Sequence, residues 1–366
     1  MPQKTVFIDP AVADHPQTRR IPPRFGATEI LPGTLADIAA AIQAAPDPIG
    51  AAKNMLLLTR NPGAFLKPCP GTRNYTCCEY RILHIASFCS LDCAYCILQA
   101  YFRPPILQLF LNHDDLLAEL DEHFKARRVS RIGTGEFTDS LIWDAWTDLS
   151  GVLVPAFAAQ DHSVLELKTK TATVSRLASL RHRRRTIVSW SLNTEAVIRR
   201  QERRTASLNA RLAAAKRCEA WGYPLAFHFD PMLIYDGCAD AYAAVVDRLF
   251  AAVDPENVVW ISLGTFRFMP DLKSILEERF PDSDITCAGE FIPGLDGKMR
   301  YFKPQRIALY RRVAEAIRQR APDVTVYFCM EDDEVWQEAL GFTPSQKGGL
   351  PAMLDDRVRH SCGVGR

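Results

Sequence analysis

The run Cys89-Ser90-Leu91-Asp92-Cys93-Ala94-Tyr95-Cys96 sets three thiols in a C-x3-C-x2-C spacing on one short stretch. Three thiolates this close together can converge on one soft metal centre. A four-iron cluster ordinarily takes four cysteines, so three local ligands leave one iron open to a substrate or cofactor. The competing reading is a zinc loop with Cys78 or a remote cysteine as fourth ligand. That would make the chain a non-catalytic, zinc-containing nucleic-acid-binding protein. Zinc sites favour paired C-x2-C knuckles, however, and the chain has no second one. Three ordinary buried cysteines are the third reading. Against it, six of the eleven cysteines fall between Cys69 and Cys96, a density that packing alone does not call for.

Other residues point to the same chemistry. Gly133-Thr134-Gly135-Glu136 closes an apolar run. Small residues there let backbone approach a ligand, and the carboxylate can accept from an ammonium group. Lys170 follows the next apolar run, Ser191 and Asn193 lie on or just past the one after it, and all three can reach a carboxylate or a ribose. Taken alone they also read as solvated or hydrogen-bonded strand ends. Asp139, His228, Asp230 and Tyr235 are candidates for a substrate pocket on the same footing.

Something must hold these residues together. Strand-length apolar runs lie at 81–88, 131–133, 164–167, 186–192, 225–229 and 258–263. Helix-like stretches separate them, among them 114–127 and 208–221. The first opens on Asp114 and Asp115 and ends in Lys125, Arg127 and Arg128, which suits the helix dipole. The second has Ser207 as N-cap and Gly222 as stop. Strand and helix in alternation predict an α/β fold with a parallel sheet, and six units favour a barrel or partial barrel. Residues 1–79 read as an N-terminal accessory segment with strands at 5–8 and 55–59 and a helix at 35–45. Residues 80–265 form the barrel and 266–366 a C-terminal extension, with helices at 272–279 and 306–320 and a strand at 324–328. The Gly- and Pro-rich tail after Gly341 is expected to be loose.

Composition narrows the class. Apolar residues are 48% and charged residues 24%, the balance of a folded globular chain. The 44 Lys and Arg nearly cancel the 43 Asp and Glu, so any nucleic-acid binding must come from a local patch. Two patches exist. Arg181-His182-Arg183-Arg184-Arg185 ends a helix-like segment before a strand, opposite the expected site, and reads as a solvated helix end. Arg199, Arg200, Arg203 and Arg204 follow a strand in a loop and are the better candidates for DNA phosphates. No apolar run approaches a membrane span, and Met1-Pro2-Gln3-Lys4 lacks the apolar stretch of a signal peptide. A cytoplasmic chain without disulfides is expected.

The cysteine spacing, placed after the first barrel strand, resembles the signature of the radical S-adenosylmethionine superfamily. The resemblance implies a partial (β/α)6 TIM-type barrel with N- and C-terminal extensions. It implies a [4Fe-4S] cluster on Cys89, Cys93 and Cys96, whose open iron chelates S-adenosylmethionine and cleaves it to a 5′-deoxyadenosyl radical. Gly133, Gly135 and Glu136 then resemble the motif that holds the methionine amino group. Over a longer stretch the chain is similar to the spore photoproduct lyase family. The similarity lies in CSLDCAYCILQ (89–99), Thr169-Lys170, Trp190-Ser191-Leu192-Asn193, AAAKRCEAWGYPL (213–225), Asp230-Pro231 and Phe266-Arg267-Phe268. It implies S-adenosylmethionine contacts from Lys170 and Ser191, a DNA substrate carrying a thymine photoproduct, and an electron donor of flavodoxin or ferredoxin type.

The chain departs from that family at two positions. The family's hydrogen-donating cysteine falls at Glu136, and its tyrosine after the third cluster cysteine falls at Ile97. A carboxylate cannot donate a hydrogen atom. Tyr95, Glu136 and Cys78 are therefore the candidate catalytic residues, with Cys69 and Cys77 beside Cys78 as further thiols. Radical initiation on a different substrate, another nucleic-acid lesion or a peptide, is the alternative this departure opens. Cys218 reads as core, and Cys238, Cys287, Cys329 and Cys362 as isolated.

Overall fold

The apolar runs become strands, and the strands roll into one curled sheet. The computed structural model describes residues 3–71 and 74–365; Met1 and Pro2 of the N-terminal run lie outside the described residues. The barrel strands are β1 (Arg81–Leu83), β2 (Ser130–Gly133), β3 (Ser163–Thr169), β4 (Thr186–Ser191), β5 (Leu225–Met232), β6 (Val258–Thr265) and β7 (Thr325–Phe328). They lie side by side in chain order, each parallel to the next. The sheet stays open, with the short Leu66–Pro68 strand antiparallel along its β1 edge. This is the expected partial barrel, and the strand foreseen in the C-terminal extension joins it as β7. β4 and β6 are buried along their whole length, because helices cover one face and the lumen fills the other.

Capping follows the sequence. Thr194 Oγ1 accepts from Val197 N to start the Glu195–Gln201 helix, and Ser207 Oγ accepts from Ala210 N to start Leu208–Ala220. Gly222, at φ +86°, supplies the left-handed residue that lets the chain turn into β5.

Four expectations are corrected. The run 81–88 is not one strand. It breaks after Leu83, and Ala86–Ser87 pairs with Leu107–Phe110 in a second, five-stranded sheet. That sheet also holds Thr5–Ile8, Glu29–Pro32 and Met55–Thr59, so its strands come from both sides of residue 79. The tail is not loose. Leu350–Cys362 is a helix whose Leu350, Leu354, Val358 and Cys362 recur every four residues and are buried. The glycines that suggested looseness, Gly341, Gly348 and Gly363, are left-handed caps. Arg181–Arg185 is not a helix end but a clamp on that tail. Arg184 Nε donates to Ser361 O at 2.9 Å, and Arg185 bonds Cys362 O and pairs with Asp161. Finally, Arg199 and Arg200 lie in the Glu195–Gln201 helix rather than in a loop.

Candidate active site

A cavity of about 280 Å³ opens at the C-terminal ends of the barrel strands, where ligand sites of barrel folds lie. Every barrel strand contributes to its wall, from the cysteine loop after β1 to Met330 after β7. One group on its wall is Cys89, Cys93, Cys96, Lys170 and Ser191, and a second is Lys168, Asp230, Arg267 and Lys298, in which Arg267 pairs with Asp230 at 3.2 Å. Gly135 and Glu136 lie on the wall as well.

The cysteine loop is fixed from several directions. Phe88, just before it, has φ +65°, a left-handed conformation rare for an aromatic residue. Lys53 donates its Nζ to Cys89 O (3.1 Å) and Leu91 O (2.6 Å). Gln99 Nε2 donates to Cys93 O (3.1 Å) and Ala94 O (3.0 Å). Asp92 pairs with Lys53 and Arg279. On the other side, Asp92–Cys93 forms a short antiparallel ladder with Glu202–Arg203. Tyr95 is buried, bonded through its hydroxyl to Glu202, which also pairs with the fully buried Arg211. Arg211 donates to Ser191 O as well, at 2.8 Å.

Burial, then the nearby Asp139 carboxylate, pushes the Cys89 thiol up to about 12. Cys93 is pushed up too, by burial first and the Glu202 charge second, with Cys96 and Cys89 adding to it. Two buried thiols that resist ionisation, with the half-buried Cys96 beside them, form a donor set that a cation would relieve. Among the described residues no three Cys, His, Asp or Glu side chains are already drawn into a closed metal site.

Beside the loop, Asp139 is a buried carboxylate that accepts four hydrogen bonds. They come from Leu141 N, Ile142 N, Thr169 Oγ1 and, at 2.7 Å, Lys170 N. Asp139 thereby sets the loop that presents Lys170, whose Nζ lies 5.7 Å from the Tyr95 ring centroid. Gly135 must be small, since a Cβ there would stand 2.8 Å from Lys168 Cβ.

Not every predicted residue reaches the cavity. Gly133 lies below it, where a Cβ would overlap Tyr80 Oη at 1.5 Å. Asn193 is buried and satisfied, donating to Pro231 O (2.9 Å) and accepting from Tyr242 Oη (2.6 Å). His228 lies in a lower layer with Tyr80, both bonded to Glu166 at 2.7 and 2.9 Å. Burial pushes the Glu166 carboxyl up, but His228, Ser189 and Lys168 together outweigh it and hold the group at about 2. Tyr235 bonds Thr194 outside the cavity wall. Arg199, Arg200, Arg203 and Arg204 do not line the cavity either.

Cys78 lines a second cavity of about 20 Å³ together with Cys69, Cys77 and Cys329. This removes Cys329 from the isolated cysteines. Tyr327 and Cys329 are two apart at the end of β7 and share a face. Burial drives the Cys329 thiol up to about 11, and its charged neighbours Arg267, Asp230, Glu136 and Lys168 belong to the main cavity wall. Cys69 likewise lies in the field of Glu136. Met330, next in the chain, lines both cavities.

Sequence reasoning missed Lys53, Glu166, Lys168 and Lys298. Glu166, Lys168 and Lys170 alternate along β3 and beyond it, a period-2 signal for one charged lumen face that was legible in the chain. Lys53 and Lys298 lie outside the barrel runs and carried no such signal.

The model of the spore photoproduct lyase family matches residues 72–328. Among curated relatives, spore photoproduct lyase of Bacillus subtilis (strain 168) is 26% identical over 248 residues, 66% of this chain and 70% of its own length. That of Geobacillus sp. (strain Y412MC61) is 28% identical over 213 residues, 57% and 62% of the two lengths. A solved mutant of spore photoproduct lyase, with AdoMet and dinucleoside spore photoproduct bound, superposes with a TM-score of 0.76 at 22% identity. The match covers 90% of this chain and 99% of that one. A second mutant gives 0.79 over the same shares.

Proposed function

Since the chain belongs to the spore photoproduct lyase family, we propose that it is a radical S-adenosylmethionine enzyme that acts on a thymine photoproduct in DNA. The observation that carries this reading is one cavity wall shared by Cys89, Cys93, Cys96, Lys170 and Ser191. The three thiols fit a [4Fe-4S] cluster with an open iron, since they are adjacent, two are buried and one half-buried, and they lack a fourth cysteine on the same wall. When bound, cluster and S-adenosylmethionine supply a 5′-deoxyadenosyl radical. Lys170 and Ser191 are placed to take the cofactor's carboxylate and ribose, and Glu136 its ammonium. Asp139 is a positioning residue for Lys170, and Arg211 for Ser191.

The far end of the cavity receives the substrate. It holds Lys168, Arg267 paired with Asp230 and Lys298 paired with Asp296, cationic donors of the type that binds a phosphodiester. Position 136 carries no thiol, so a hydrogen atom for a product radical comes from Cys329 or Cys69 instead. The S–H bond would give one hydrogen atom to carbon and keep one unpaired electron on sulfur.

The test uses anaerobically reconstituted, dithionite-reduced protein with S-adenosylmethionine and an oligonucleotide carrying spore photoproduct. Deoxyadenosine and restored thymine are quantified together. Both are expected. Deoxyadenosine without thymine would refute the substrate and favour the second reading, radical initiation on another molecule, for which Glu136 and Ile97 are the observations. Neither product, with zinc in place of iron and sulfide, would refute the cofactor.

A further inference from the structure

Four arginines are left without a role by the cavity. Arg199, Arg200, Arg203 and Arg204 are all exposed. None of the four forms an ion pair among the described residues, although the chain makes many. The carboxylates around them are committed elsewhere: Glu195 to Arg248, Glu202 to Arg211, Asp47 to Arg279. Arg203 is steadied by the Phe280 ring, 4.3 Å from its guanidinium, and Arg204 reaches Asn54 at 3.4 Å. The result is four uncompensated positive charges within six residues of chain.

Their place is specific. Glu202 is directly opposite Cys93 and Arg203 opposite Asp92 in an antiparallel ladder. Ala94 N donates to Gln201 O at 2.8 Å. Arg203 is therefore one strand spacing, about 5 Å, from the backbone of Asp92, the neighbour of a cysteine proposed to hold the cluster. We infer that this strip is the docking face for an acidic protein that carries a one-electron redox centre and reduces the cluster. The inference rests on the cluster reading above. An electron entering here passes through the Glu202–Cys93 ladder without crossing the substrate end of the cavity. DNA phosphates share the strip's charge preference, but the lesion must reach Lys168 and Arg267, and the strip is absent from that wall. Steering by such a patch raises association rates by about 10- to 1000-fold and fades with salt.

The experiment uses anaerobically reconstituted holoprotein and a reduced flavodoxin. Stopped-flow absorbance gives the rate of cluster reduction at rising salt, and titration of the same pair gives the equilibrium Kd. The variant is Arg199→Glu with Arg203→Glu. The control is Arg311→Glu with Arg312→Glu, an exposed and a half-buried arginine on the Lys303–Arg320 helix, paired with Glu338 and Asp240, which changes net charge equally. Expected at low salt is a loss of about tenfold or more in flavodoxin-driven reduction and a weaker Kd for the first variant only. Dithionite-driven reduction should be unchanged. Equal rates and Kd in variant and control would overturn the inference. So would an unchanged flavodoxin rate with weakened binding of a lesion-bearing duplex, which would assign the strip to DNA. A reconstituted protein without iron–sulfur absorbance would overturn the cluster reading itself, before any flavodoxin is added.

Discussion

Lys53 belongs to the N-terminal segment, yet it is tied to the chemistry. Its Nζ donates to Cys89 O at 3.1 Å and Leu91 O at 2.6 Å, stands 3.5 Å from Asp92, and lies over the Phe88 ring at 4.5 Å. Lys53→Met keeps the apolar stem and removes the charge. Two charge-assisted hydrogen bonds are worth about 1.5–3 kcal/mol each. Asp92 is not orphaned, because Arg279 stays at 3.1 Å. The net loss is therefore expected near the lower end of the range for breaking a buried pair, about 3 kcal/mol. Two assays read it. Urea unfolding of the apoprotein gives the stability change. Iron and sulfide per chain after anaerobic reconstitution give the consequence for the loop, because the carbonyls of Cys89 and Leu91 lose their anchor. Both should fall. An unfolding free energy within about 0.5 kcal/mol of wild type and full iron loading would show that Lys53 does not hold the loop.

Gly133→Ala places a methyl at the position of Tyr80 Oη, 1.5 Å away, and should cost about 3 kcal/mol in urea unfolding. Adding Tyr80→Phe should return part of it, and no recovery would assign the cost elsewhere. Glu166 titrates at about 2 in the folded chain against an ordinary 4.5. Its stabilisation is therefore full above pH 4.5 and is lost as pH falls through about 2. Glu166→Gln should flatten that part of the acid unfolding curve, and two superimposable curves would contradict the pairing with His228. Cys329→Ser should leave deoxyadenosine formation in place while restored thymine disappears; undiminished thymine would pass the donor role to Cys69.

The fold was legible where burial is two-sided. Runs such as 258–263 are apolar but for one serine, and β-branched and aromatic residues in so short a run read as a buried strand. Legibility failed where a charged residue ends up inside. Arg184 and Arg185 read as solvated because arginine usually is, but here they satisfy the terminal carbonyls of the last helix. The tail helix itself announced its face at 350, 354, 358 and 362, and its capping glycines hid it. The break after Leu83 could not be read from the apolar run, because Ala86 and Ser87 suit either sheet and only the pairing with Leu107–Phe110 decides. The cavity's cysteine end was legible because its ligands are local in sequence. Its cationic part was not, since Lys168, Arg267 and Lys298 come from three distant segments and meet only when the barrel curls.

That asymmetry bears on the departure at position 136. A local motif can keep its spacing while the residue that completes the reaction moves to another strand, because the lumen brings strand ends together whatever their order in the chain. Glu136 on the loop after β2, Lys168 on β3, Asp230 on β5 and Cys329 after β7 are far apart in sequence. The charges of Glu136, Lys168 and Asp230 nonetheless all bear on the Cys329 thiol, and Glu136, Asp230 and Cys329 all bear on Lys168. A thiol at the end of β7 can therefore serve a radical formed above β2 without any change in the cysteine loop. The same geometry limits the choice of thiol. Cys77 is exposed and Cys78 is turned toward Cys77 and Arg131. Only Cys329 and Cys69, of the four thiols around the small cavity, have Glu136 and Lys168 among their charged neighbours. Loss of the thiol at 136 is then compatible with an intact hydrogen-return step, provided that step is run from the last barrel strand or from the turn at Cys69.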